Sequence, residues 1–170
     1  EVMGAEGAIV RPQITSGTHA IAACLFGVLR PGDKLLYITG DPYDTLEEVI
    51  GLRGETGGSL RDYGIDYAAI PLINGQPDWE NIAKNIDHRT KCIAVQRSRG
   101  YSRRPSFTVE AIARMTSFVK KIKPDVTVFV DNCYGEFVER DEPTHRGVDL
   151  MAGSLIKNPG GGLAKSGGYI

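Results

Sequence analysis

Apolar positions along this chain follow two rhythms, and these divide it into alternating elements. Short continuous apolar runs bounded by turn residues predict buried strands at residues 34–38, 65–70, 92–96 and 126–131. Apolar residues at helical spacing predict helices over about 17–30, 45–51, 79–86 and 108–123. The last is the clearest, because Val109, Ile112, Ala113, Met115, Phe118, Val119 and Ile122 share one face and Pro124 stops it. Pro31-Gly32 closes the first helix and Asn74-Gly75 marks a turn. The glycine-rich stretch Arg53 to Ser59 is expected to be mobile. Lys165 to Ile170 looks like the entry to a further strand, whereas the first residues show neither a cap nor a strand. Strand and helix in alternation argue an α/β architecture with a mostly parallel sheet.

Two charged residues stand out. Asp131 closes the apolar run that starts at Val126, and Lys157 sits in Gly153-Ser-Leu-Ile-Lys157-Asn. Their separation lets both emerge at the same end of adjacent strands. An aldehyde cofactor needs a lysine for its Schiff base, and its pyridinium nitrogen needs a carboxylate partner, so the pair points to pyridoxal phosphate. Ordinary roles compete: Asp131 with Asn132 can form a turn, and Lys157 can be a solvated loop lysine. Its setting argues against the second, since Leu155 and Ile156 precede it and Asn158-Pro159-Gly-Gly-Gly162 can wrap a bound group. Burial beside a cationic or apolar neighbour would lower the Lys157 pKa and free it as nucleophile and base.

A third feature strengthens the pair. Ser16, Gly17 and Thr18 form a small polar turn running into the helix from Ala20, and free N–H groups at a helix start make an anion site. An ordinary capped helix looks much the same. Lys165, in Gly160-Gly-Gly-Leu-Ala-Lys165-Ser166, competes with Lys157 and nearly makes a nucleotide-binding P-loop. That match fails where Ala164 precedes the lysine, where Pro159 replaces the first glycine, and where no helical stretch follows. Tyr43 reads equally as a turn aromatic after Pro42 or as a ring-stacking group, and His19 as a helix-start residue. The positive run Arg97 to Arg104 suits a carboxylate or a second phosphate, and a solvated loop accounts for it as well.

In order, Ser16-Gly17-Thr18, Tyr43, Asp131-Asn132 and Ser154-x-x-Lys157 resemble the large domain of fold-type I pyridoxal phosphate enzymes, in the cystathionine/methionine lyase class. Gln96 to Ser102, Val130 to Phe137 and Ser154 to Ala164 resemble the methionine gamma-lyase-related proteins called aluminium resistance proteins. The resemblance implies a three-layer sandwich of the aspartate aminotransferase-like type. It implies that Lys157 carries pyridoxal 5'-phosphate, that Ser154 binds its phosphate, that Tyr43 stacks on its ring, and that α-proton abstraction leads to β- or γ-elimination from a sulfur amino acid. It further implies a homodimer or homotetramer, and a substrate-carboxylate arginine in a C-terminal small domain. On this reading residues 1–170 are a fragment, a partial large domain without an N-terminal segment and a small domain, and inactive alone. Another fold-type I reaction, aldolase or aminotransferase-like, and a non-catalytic phosphate-binding module are the alternatives. The chain departs from better-known lyases at the end of the 92–96 strand, where those carry an asparagine-proline pattern.

Composition adds little beyond consistency: 41% hydrophobic, 24% charged and a net charge of −1 call for neither a nucleic-acid nor a membrane partner. Cys24, Cys92 and Cys133 lie far apart in apolar surroundings, so buried free thiols in a reducing compartment, by default the cytoplasm, are expected. No metal-ligand spacing or signal peptide is legible.

Overall fold

A computed structural model of the chain describes residues 2–55 and 57–170. Thr56, within the glycine-rich stretch expected to be mobile, and Glu1 lie outside the described residues. In chain order the elements are β1 (Val10–Arg11), α1 (Gly17–Val28), β2 (Lys34–Tyr37), α2 (Asp44–Ile50), β3 (Asp66–Ala69), α3 (Trp79–Asn85), β4 (Thr90–Gln96), α4 (Val109–Ile122), β5 (Thr127–Asp131), β6 (Leu150–Ser154) and β7 (Gly168–Tyr169), with a 3-10 turn at Pro143–Arg146.

Local chemistry sets the helix starts. Ser16, Asp78 and Thr108 are N-caps whose side-chain oxygens accept the N–H groups of His19, Asn81 and Ala111. At the other end of α1 the chain turns extended at Leu29, two residues earlier than the pattern suggests, because Arg30 precedes Pro31 and is barred from helical geometry. Asn74 and Gly75 both take positive φ, 51° and 77°, and join the bridge between Ile73 and Gln76, the tight turn these two residue types favour.

The strands form one sheet in the order β1-β7-β6-β5-β4-β2-β3. Five of them, from β6 to β3, run parallel, while β7 and β1 pair antiparallel at one edge. The first residues do contribute a strand. β1 is two exposed residues long, too short for any alternation to announce it.

Alternate strand residues face opposite layers. Leu35 and Tyr37 of β2, Cys92 and Ala94 of β4 and Phe129 of β5 pack on the side of α1 and α2, with Ala20, Leu25, Leu46 and Ile50. Leu36, Ile93, Val95, Val128 and Val130 pack on the other side against Ile112, Met115 and Val119 of α4. The result is the expected three-layer α/β sandwich, its central strands apolar throughout because both faces are covered.

Phe129 is fully buried at the centre of one layer. Phe129→Ala is expected to cost about 3–5 kcal/mol in urea denaturation, whereas Lys121→Ala, on the exposed face of α4, should stay within about 0.5 kcal/mol.

Candidate active site

Parallel pairing brings the carboxyl ends of the central strands level: Gln96 pairs with Asp131, and Asp131 with Ala152. The loops leaving β2, β4, β5 and β6 enclose a cleft of about 540 Å³, lined among others by Tyr43, Gln96, Arg99, Asp131, Cys133 and Lys157. The crevice outside the carboxyl ends of a parallel sheet is where such folds take ligands. Asp131 and Lys157 therefore meet where the sequence expected. Lys165 is exposed and does not line the cleft.

At the start of α1 a second group of expected residues converges. The Ser16 hydroxyl accepts the His19 N–H (3.1 Å), and the Ser16 carbonyl accepts the Ala20 N–H. Among the described residues the N–H groups of Gly17 and Thr18 have no acceptor. Gly17 lies so close to β6 that a Cβ there would meet Ser154 Cβ at 3.1 Å and Cys133 Sγ at 3.2 Å. The Ser154 hydroxyl is buried and, among the described residues, without a hydrogen-bond partner. A buried unpaired hydroxyl beside a helix N-terminus is a donor set for a phosphate. Thr18 instead commits its hydroxyl to Tyr43 Oη (2.9 Å), so its backbone N–H is what it can offer an anion. His19 accepts the Thr15 N–H through Nδ1 (3.3 Å), the structural role expected of a helix-start residue.

Tyr43 is held at both ends: its hydroxyl by Thr18, and its backbone N–H by Gln96 Oε1 (3.2 Å). Gln96 was not anticipated. It opens the Gln96 to Ser102 string that carries the resemblance, but nothing in that string assigns it a role.

Electrostatics in the cleft correct one expectation. Asp131 is 2% exposed, and burial pushes its carboxyl up; the Cys133 N–H, donated to Oδ1 at 3.1 Å, and the charges of Lys157 and Arg104 oppose the rise. Burial acts to lower the Lys157 pKa, but Cys133 and Asp131 outweigh it and leave the pKa raised, not lowered. The neighbours are a thiol and a carboxyl, neither cationic nor purely apolar. The ammonium also sits over the Tyr134 ring, 4.3 Å from its centroid, a further cation-stabilising contact. Tyr134 holds φ at 67°, unusual for a bulky residue, which turns the chain sharply after Asp131. The Cys133 thiol is pushed up to about 12 by burial and then by Asp131, so at neutral pH it faces the lysine as a thiol.

The arginine run divides in two. Arg97 is no ligand-binding residue: it is 3% exposed and donates from Nη1 to Asn132 Oδ1 (2.8 Å) and Glu142 Oε2 (3.0 Å), and from Nη2 to Glu139 Oε1 (2.7 Å). Gly135 admits it, since a Cβ there would stand 2.4 Å from Arg97 Cδ. Arg104 donates to the carbonyls of Gln96 (2.7 Å) and Ser98 and lies over the Phe107 ring. Asn132 links this network to Tyr169, whose hydroxyl donates to Glu136 Oε1 (2.9 Å). Glu136 Oε2 is buried and without a partner among the described residues, and burial pushes that carboxyl up. The pairings of Arg97 and Tyr169 have no sequence signal, because these partners lie 33 to 45 positions apart. Cys24, Cys92 and Cys133 are free and buried, as expected.

The methionine gamma-lyase family model matches residues 1–170. YnbB of Bacillus subtilis is 62% identical over 172 residues, covering all of this chain and 41% of its own. A Listeria innocua structure, described as a candidate cystathionine beta-lyase involved in aluminium resistance, superposes with a TM-score of 0.96 at 64% identity, covering 98% of this chain and 41% of the other. A carbon-sulfur lyase involved in aluminium resistance from Clostridium novyi gives 0.93 at 46% identity, covering 98% and 40%. The chain thus spans about two-fifths of the length of these relatives.

Removing Arg97 would strand Glu142 without its charge partner. Arg97→Ala is expected to cost about 3–5 kcal/mol in denaturant unfolding, and the Arg97→Ala/Glu142→Gln double variant less than the two single losses combined. Glu136 supplies a pH test. Because its folded pKa is raised, its contribution to stability is present below the ordinary glutamate value of about 4.3 and is lost as pH climbs through the raised value. Glu136→Gln, which cannot titrate, should flatten the decline of Tm above about pH 4; an unaltered slope would exclude Glu136 as its source.

Proposed function

The chain belongs to the methionine gamma-lyase family, a pyridoxal phosphate-dependent lyase-like group of Cys/Met metabolism, and on that premise we propose that it is the cofactor-binding core of a carbon-sulfur lyase acting on sulfur amino acids. One observation carries the reading. The buried, unpartnered Ser154 hydroxyl stands beside the open N–H groups of α1, three residues before the one lysine that lines the cleft. Pyridoxal phosphate fits these residues: Ser154 with the Gly17 and Thr18 N–H groups would hold its phosphate, Tyr43 would cover its ring, Asp131 would meet its ring nitrogen, and Lys157 would hold its carbonyl carbon. Ser16 supports the site by capping the helix.

When bound, that cofactor supplies a carbonyl that joins primary amines and a ring that draws electrons from the carbon beside them. Lys157, with its amine free, would take the proton from the substrate α-carbon and could return one to the departing group. Its ammonium is favoured by Cys133, Asp131 and Tyr134, so it holds the proton it has accepted until a leaving group needs it. Asp131 would keep a ring nitrogen held there protonated, and the Cys133 N–H fixes the orientation of its carboxylate. Thr18 and Gln96 lock the Tyr43 side chain and backbone, so the ring wall is set before anything binds. A sulfur group is the leaving group most in keeping with the family. Assembly into a homodimer or homotetramer belongs to the same proposal, supported by the exposed Phe137, Val138 and Leu163 on the loops that follow β5 and β6.

Borohydride reduction in the presence of pyridoxal phosphate, followed by peptide mapping, tests the assignment. Wild type and Lys165→Ala should carry the tag on Lys157, and Lys157→Ala should carry none. A tag on Lys165, or none in the folded protein, would remove Lys157 from its role.

A further inference from the structure

Four arginines lie between β4 and α4, and their fates differ. Arg97 is spent on Glu139, Glu142 and Asn132, and Arg104 on the carbonyls of Gln96 and Ser98. Arg103 is exposed and does not line the cleft. Arg99 does line it, and among the described residues its guanidinium has no hydrogen-bond or ion-pair partner. The other cleft carboxylates are engaged: Asp44 accepts the Thr45 N–H and lies 4.0 Å from Arg53, while Asp131 faces Lys157.

The platform under Arg99 is fixed. Arg104 ties the two ends of its loop together through Gln96 and Ser98, the Gln96 side chain donates to the Ser98 carbonyl (3.1 Å), and the Arg99 carbonyl accepts from the backbone N–H and hydroxyl of Ser102. A free, planar, permanently charged fork on a braced loop is built for a carboxylate.

Geometry tells which carboxylate. Lys157 leaves the sheet after β6 and Arg99 after β4, with β5 between them, so their loops rise roughly 10 Å apart, two strand spacings. A substrate with its amino group at Lys157 keeps its α-carboxylate at the lysine end, one bond from the reacting carbon. Only a group carried beyond the sulfur reaches towards the β4 loop. Resting on the lyase reading, we infer that Arg99 binds a carboxylate on the far side of the substrate sulfur and so sets a preference for anionic over neutral thioethers.

S-(2-carboxyethyl)-L-cysteine and S-propyl-L-cysteine differ at that end in charge but little in length. Arg99→Ala in the cofactor-loaded protein should lower the ratio of kcat/KM for the first over the second about tenfold, mostly through KM, the scale of one charge-assisted hydrogen bond at a solvated site. Arg99→Lys should recover part of the ratio. A ratio that does not move, including the case where both substrates suffer equally, overturns the inference. If wild type eliminates neither compound, the outcome expected of residues 1–170 alone, the borohydride test decides the cofactor reading and a second readout decides on Arg99. In the cofactor-free protein, the carboxyethyl compound should shield Arg99 from phenylglyoxal in peptide mapping where the propyl compound does not; equal or absent shielding overturns it.

Discussion

A guanidinium buried to 3% exposure must find its partners inside the protein, and where Arg97 finds them determines how the cleft is floored. Its backbone N–H donates to the Asp131 carbonyl, which locks the end of β4 to the end of β5. Its side chain reaches Asn132, one residue past Asp131, and Glu142, which enters the 3-10 turn before β6. Glu139, its third partner, accepts the first N–H of α4. Two strand ends, a helix start and a turn are thus set by one residue. Asp131 owes its fixed position to this frame as much as to its own strand, so the pair Arg97 and Glu142 is tied to function without touching the cleft.

A carboxyl and a thiol flank one amine in the cleft, and the order of their proton affinities decides what that amine can do. Cys133 is too basic to ionise at neutral pH, and Asp131 is pushed up by its burial yet held back by Lys157 and Arg104. The Lys157 pKa is raised all the same, because Cys133 and Asp131 together outweigh its burial. That differs from an amine made nucleophilic by apolar burial. A raised value of this kind favours a residue that, once protonated, keeps its proton.

The order of elements was legible because the parallel strands are covered on both faces and so read as continuous apolar runs, and because Ser16, Asp78 and Thr108 are good caps. Asp131, Lys157 and Gly17 could be picked out from their own settings, and Ser154 through the resemblance carried by Ser154-x-x-Lys157. Gln96, Glu136 and Tyr169 could not, since a buried polar group is recognised by its partner and the partner is remote in sequence. The direction of the Lys157 shift was misread for the same reason. Apolar neighbours in sequence, Leu155 and Ile156, suggested a lowered value, whereas the neighbours in space are Cys133, Asp131 and Tyr134.

The arginine run shows how far charge alone misleads. As a string it reads as one cationic patch for one anion, but the fold sorts it by geometry. Glycine at position 135 opens room for Arg97 to turn inward, and the two carbonyls at the loop neck draw Arg104 across it. What remains facing the cleft is a single braced cation. A lone fixed charge discriminates better than a cluster, because a cluster attracts any anion at long range, while one fork on a rigid loop rewards only a carboxylate that arrives at the right distance from the reacting end. The structural arginines thus give selectivity to the free one by holding its loop still.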